Sequence, residues 1–157
     1  MNTERVLEEM TAKPGFLLSR VGTAIQLGFK ELLAGHGLRP LEFLILQLLG
    51  SGDGASQQQL CRAAGVDSGN MVEFVDTLER LGDATRTRDP ADRRRYIVTI
   101  TPTGRSRAAQ IVRDLGAYDE RFLSPLSDAE RRRLVATLGK LYATIPEARE
   151  RPPASRR

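Results

Sequence analysis

Cysteine and histidine are almost absent: Cys61 is the only thiol and His36 the only imidazole in 157 residues. A lone cysteine cannot staple the chain internally, which fits a reducing compartment. The sequence has no metal-ligand spacing, no phosphate-binding glycine loop and no nucleophile elbow, so it gives an enzyme reading little support and implies no cofactor or metal. Nor does any run approach the ~20 consecutive apolar residues of a membrane span. The opening MNTERVLEEM lacks a signal peptide's basic-then-apolar layout. The expectation is a soluble cytoplasmic protein of about one domain.

What is present is a core's worth of apolar residues, 40%, and an uneven distribution of charge. The net charge of +4 is made locally: residues 1–82 carry 7 basic and 10 acidic side chains, residues 83–107 carry 7 and 3, and residues 108–157 carry 10 and 7. The positive field centres on RTRDPADRRRYIVTITPTG, Arg86 to Gly104. Asp89, Pro90 and Asp92 are turn chemistry, because proline presets φ and short carboxylates bond back to backbone amides. Tyr96, Val98 and Ile100 alternate with Ile97 and Thr99 in the period of a half-buried strand. The reading is a β-hairpin over 84–100 whose exposed end carries Arg86, Arg88, Arg93, Arg94 and Arg95. Such a ribbon suits a phosphate-lined groove, whereas the plainer reading is a solvated charged turn.

The remaining elements are helical. Residues 1–13 form an acidic arm, frayed or helical, and residues 149–157 a disordered tail. Leu17, Val21, Ile25, Gly28 and Leu32, widened by Phe29 and Leu33, define an amphipathic helix from Pro14 that Gly35 and Gly37 stop. Pro40 opens LEFLILQLLG, apolar nearly all round and so expected at the centre of the core. Ser56 and Gln59 read as a capping box for a short helix through Ala64. After Gly65-Val66-Asp67, with Asp67 or Ser68 as cap, a second helix runs to about Leu81, its inward face assigned to Met71, Val72, Val75 and Leu78. Thr101 caps a long helix starting at Pro102, with Ala108, Ile111 or Val112, Leu115, and Tyr118 or Phe122 inward. Ser127 and Glu130 box a last helix through Leu134, Leu138, Leu141, Tyr142 and Ile145.

Two short helices joined by a tight glycine turn form a helix-turn-helix, and a basic hairpin directly after them makes it winged. Ser68, Asn70 and Thr77, on the N-terminal turn and outward face of the second helix, are the candidate base contacts. Ser56 and Gln57 are placed to hold backbone phosphate. The fold class is mainly α, about six helices, with a small two- to three-stranded antiparallel sheet.

Val-Asp-x-Leu-Glu at Val75 to Glu79, the Arg-x-Arg strand, Asp-Pro-x-Asp-Arg-Arg at Asp89 to Arg94 and Thr-Pro-x-Gly at Thr101 to Gly104 together resemble the multiple antibiotic resistance regulator (MarR) family of bacterial transcription factors. The resemblance spans roughly Pro14 to Ile145. It implies a homodimer whose helical region, 14–37 with 102–148, carries two winged lobes, 38–101, onto a palindromic DNA operator. It also implies repression relieved by a small aromatic or anionic effector, and it likens Arg93 or Arg94 to the family's minor-groove arginine. His36, at a helix end where a cation is favourable, is the candidate effector-pocket residue. Cys61 reads as core and not as an oxidant sensor.

The terminal helices support a dimer independently, since their long apolar faces need a partner, although packing on each other within one chain would also serve. The second helix departs from the family pattern. Asp67, Glu73, Asp76 and Glu79 leave it net acidic, where many relatives carry arginine in place of Glu73 and Thr77. Glu73 and Glu79 either pair with Arg80 or Arg62 along the edge, or face the groove and favour cytosine amino groups. The alternative function is a winged-helix module whose acidic helix docks a protein.

Overall fold

The computed structural model describes residues 3–89 and 95–145. Among these, seven helices and three strands follow in the order α1 (Thr3–Thr11), α2 (Pro14–Gly35), α3 (Pro40–Gly50), β1 (Ala55–Ser56), α4 (Gln57–Ala64), α5 (Ser68–Arg80), β2 (Ala84–Arg88), β3 (Tyr96–Ile100), α6 (Pro102–Phe122) and α7 (Asp128–Tyr142). The chain divides into two units, Met1–Gly116 and Ala117–Arg157. No single helix among the described residues is long and apolar enough to cross a membrane.

The first unit is built on α3. Proline at its start supplies a preset φ where no amide bond is lost. Ile45, Leu46 and Leu49 are completely or almost completely buried, and around them close Leu33 of α2, Leu60 of α4, Met71, Val75 and Leu78 of α5, Val98 of β3 and Ile111 of α6. Each such side chain contributes about 1.5–3 kcal/mol by leaving water. The inward stripe of α5 is Met71, Phe74, Val75 and Leu78, and Val72 lies outside it with 44% of its surface exposed. The assignment of Val72 to the core is therefore corrected: positions i, i+3, i+4 and i+7 from Met71 share a face, and Val72 falls between rows.

The sheet has the order β1-β3-β2, antiparallel throughout. Ala84 pairs with Ile100, Arg86 with Val98 and Arg88 with Tyr96, while Ala55 of β1 pairs with Val98 on the other edge. Val98 and Ile100 face the core, as the alternation predicts. The hairpin base is tied to α6: Thr101 donates its hydroxyl to the Gly82 carbonyl, its amide bonds the Asp83 carbonyl, and its hydroxyl accepts from the Gly104 amide, capping the helix. A Cβ on Gly104 would lie 2.1 Å from the Asp83 carbonyl oxygen, so only glycine lets the two segments approach this closely.

In the second unit, Ser127 and Glu130 form the expected reciprocal box at the start of α7. Two hydrogen bonds from Ser127 hold the Glu130 carboxyl below its ordinary pKa. Arg131 pairs with Glu120, and the Tyr118 and Phe122 rings lie 6.0 Å apart. The helix ends at Tyr142, short of the expected Ile145, because Thr144 and Ile145 bond carbonyls three residues back and tighten the last turn. No residue of α7 is buried, and Val135, Leu138, Leu141 and Tyr142 are all exposed. The first half of α2 is similarly open at Leu17, Leu18 and Val21.

Candidate nucleic-acid interface

The turn between α4 and α5 is set by Gly65, whose φ of 67° is the left-handed conformation that ends a helix at low cost in glycine. At the other end of α4, the Ser56 hydroxyl accepts from the Gln59 amide at 3.3 Å while the Ser56 amide donates to the Gln59 side chain at 2.8 Å. Asp67, and not Ser68, caps α5: its carboxylate accepts from the Asn70 amide at 3.0 Å and from the Asn70 side chain. Those bonds, the backbone one foremost, hold the Asp67 carboxyl below its ordinary range. Ser68 and Asn70 are exposed and Thr77 is half-buried, with Arg80 donating to its hydroxyl.

The wing follows directly. Arg88 at the end of β2 is exposed, and its guanidinium lies 5.9 Å from the centre of the Tyr96 ring opposite it. The Asp89 amide donates to the Arg95 carbonyl at 3.0 Å, carrying the ladder one step beyond the strands. Pro90, Asp92, Arg93 and Arg94 lie outside the described residues. Two adjoining recesses join these elements. One, of about 210 Å³, is lined by Ser56, Gln57 and Gln58 of the α4 start together with Arg95 and Tyr96 of the wing. The other, of about 220 Å³, is lined by Gln57, Gln58 and Cys61 of α4 and by Ser68 and Val72 of α5. Asn70 and Thr77 line neither recess.

Arg86 has a different place from its strand neighbour. Its backbone amide and guanidinium both bond Glu79, at 2.8 and 2.9 Å, and the guanidinium also pairs with Asp76 and donates to the Val72 carbonyl. It is an internal clamp between β2 and α5, so the expectation of a free cation at this position is corrected. The acidic surface of α5 acquires its counter-charge in this way. Glu79 and Asp76 share Arg86, and Glu73 pairs with Arg39 at 2.9 Å, in place of the expected Arg80 or Arg62. Glu73 still faces solvent, with 61% of its side chain exposed. Arg39 also donates through Nε and Nη2 to the buried Glu42 and lies 4.8 Å above the Phe74 ring. The Glu42 bond is the main reason its pKa is raised above the ordinary value.

Comparison with known proteins places this arrangement. The MarR family model matches residues 36–95. A protein of Thauera aromatica described as a putative transcriptional regulatory protein for the hcr operon is 35% identical over 88% of this chain and 84% of its own. The chain belongs to the MarR family. The HTH-type transcriptional repressor Rv2887 of Mycobacterium tuberculosis is 31% identical over 81% of this chain and 91% of its own. The repressor CouR, solved on a 23-mer DNA duplex, superposes with a TM-score of 0.66 at 30% identity, over 85% of this chain and 94% of its own. CouR from Rhodococcus jostii RHA1 has also been solved with p-coumaroyl-CoA, at 29% identity and a TM-score of 0.62 over 84% of this chain and 93% of its own.

In this MarR-family chain the His36 ring is committed to α6, its Nε2 lying 2.9 Å from Asp114 Oδ2. The His36 carbonyl accepts from Arg107, whose Nε also sits 2.9 Å from Oδ1 and 2.8 Å from Oδ2 of the fully buried Asp83. A polar chain thus runs from the end of α2 through α6 to the wing base. Arg39, Arg107 and Val72 are the residues of this region that the sequence reading did not single out as functional. Arg39 has a local partner in Glu42, three residues on, but its bond to Glu73 spans 34 residues and the bond of Arg107 to Asp83 spans 24, so neither long-range role has a local signal.

Proposed function

We propose that this MarR-family regulator is a sequence-specific repressor that binds a palindromic operator as a homodimer and is released by a small-molecule effector. The observation that supports it most is the convergence of the α4 start, the outward face of α5 and the wing base on two adjoining recesses, beside carboxylates that already carry arginine partners. Ser56 and Gln57 hold phosphate, Arg88, Arg95 and the tip arginines Arg93 and Arg94 add sequence-independent affinity, and Ser68 and Asn70 approach base edges. Thr77 borders the same face. Arg86 acts from behind, cancelling charge that would repel phosphate. Asp89, Pro90 and Asp92 shape the tip.

Dimerisation uses residues 14–37 and 102–148, whose exposed leucine, valine and tyrosine side chains on α2 and α7 have the chemistry of a subunit interface. The winged region is residues 38–101. The effector is a small aromatic or anionic molecule, in line with the acyl-CoA bound by CouR, and His36 is the residue that couples its site to α6.

Electrophoretic shift against the protein's own promoter region tests the reading. Binding is expected to weaken steeply between ~50 and ~200 mM salt. Arg94→Ala is expected to cost about 1–3 kcal/mol and to reduce the salt slope by about 1. The alternative of a protein-docking module, favoured by the exposure of Glu73, requires no salt-sensitive shift at all.

A further inference from the structure

We propose that Val72 is a specificity-determining residue that reads the C5 methyl group of a thymine in each operator half-site. The inference rests on the DNA-binding reading above and names the base that one wall of the interface selects. Every other large apolar side chain of α5 is buried, yet Val72 stands 44% exposed, one turn along from Ser68 on the same row. It lines the α4–α5 recess with the half-buried Cys61 and the polar Gln57, Gln58 and Ser68.

An exposed apolar side chain on this face matches the one base edge that carries a methyl group. In the major groove thymine presents the O4 acceptor beside the C5 methyl, whereas cytosine offers a donor and no methyl, and the purines offer no methyl at all. The carboxylates that would favour cytosine, Glu73 and Asp76, are each held by an arginine. The backbone at Val72 is also fixed, because its carbonyl accepts from Arg86 at 3.2 Å. A β-branched side chain on a helix has essentially one χ1 rotamer, so the two methyl groups of Val72 are presented in a defined direction.

The test uses the full chain and duplexes selected from a random library. Each thymine of the selected half-site is replaced by deoxyuridine, which removes only the methyl group, and affinity is read by fluorescence anisotropy. One thymine per half-site is expected to show a loss of roughly four-fold in the wild type, the equivalent of one buried methyl group. Val72→Ala is expected to bind the thymine and uracil duplexes equally, and Val72→Thr, which keeps a methyl, to retain part of the difference. Because Val72 lies outside the core stripe, both variants are expected to melt with the wild type. The proposal is overturned if no thymine shows the loss, or if Val72→Ala shows it undiminished. A wild type that selects no duplex at all overturns the DNA-binding reading, and this proposal with it.

Discussion

Arg86 and Arg88 are two residues apart on the same strand and face opposite consequences. Arg86 has 20% of its side chain exposed and holds two carboxylates of α5, whereas Arg88 is exposed beside Tyr96. Replacing Arg86 with alanine takes the guanidinium from Asp76 and leaves Glu79 only the residue-86 backbone amide, so thermal denaturation should show a loss of about 1–3 kcal/mol. DNA affinity should fall further through the restored repulsion. Arg88→Ala should leave the melting temperature unchanged while weakening binding uniformly across sequences and reducing its salt slope. Equal melting losses in the two variants would contradict this division of roles. Gly104 makes a sharper case: a methyl group there meets the Asp83 carbonyl at 2.1 Å, backbone against backbone. Gly104→Ala should cost about 1–3 kcal/mol by overpacking, and melting should show it.

The elements are shaped by caps, and the cap of α5 is titratable. The Asp67 carboxyl is held below its ordinary range by the Asn70 amide and then the Asn70 side chain. A depressed carboxylate pKa gives stability that is complete above the unfolded-state value and is lost as pH falls through the folded-state value. Melting temperatures measured from neutral pH down through about 4 and below should therefore converge between wild type and Asp67→Asn, whose amide oxygen keeps the cap without titrating. A gap that stays constant with pH would contradict the assignment. Local devices of this kind are readable from the chain alone: Ser56 with Gln59, Thr101 with Pro102 and Ser127 with Glu130 act over three residues or fewer. The face of α5 was read less well, because Val72 and Phe74 both border the stripe through Met71 and Val75, and burial from outside the helix decides between them. The partners of Glu73, Glu79 and Asp83 were not readable, since they depend on how α3, β2 and α6 pack around α5.

At the scale of the whole molecule, the proposed assembly is two-fold, each chain bringing a groove-reading helix, a basic wing and the exposed apolar faces of α2 and of α7. The most direct measurement is a footprint of the full-length protein on the site it selects, with the stoichiometry of the complex taken from the same preparation. The account predicts two protein chains per duplex protecting a symmetric site, its half-sites centred about one helical turn, ~10 base pairs, apart. A single chain protecting an asymmetric half-site, or no protected site at low salt, would contradict it.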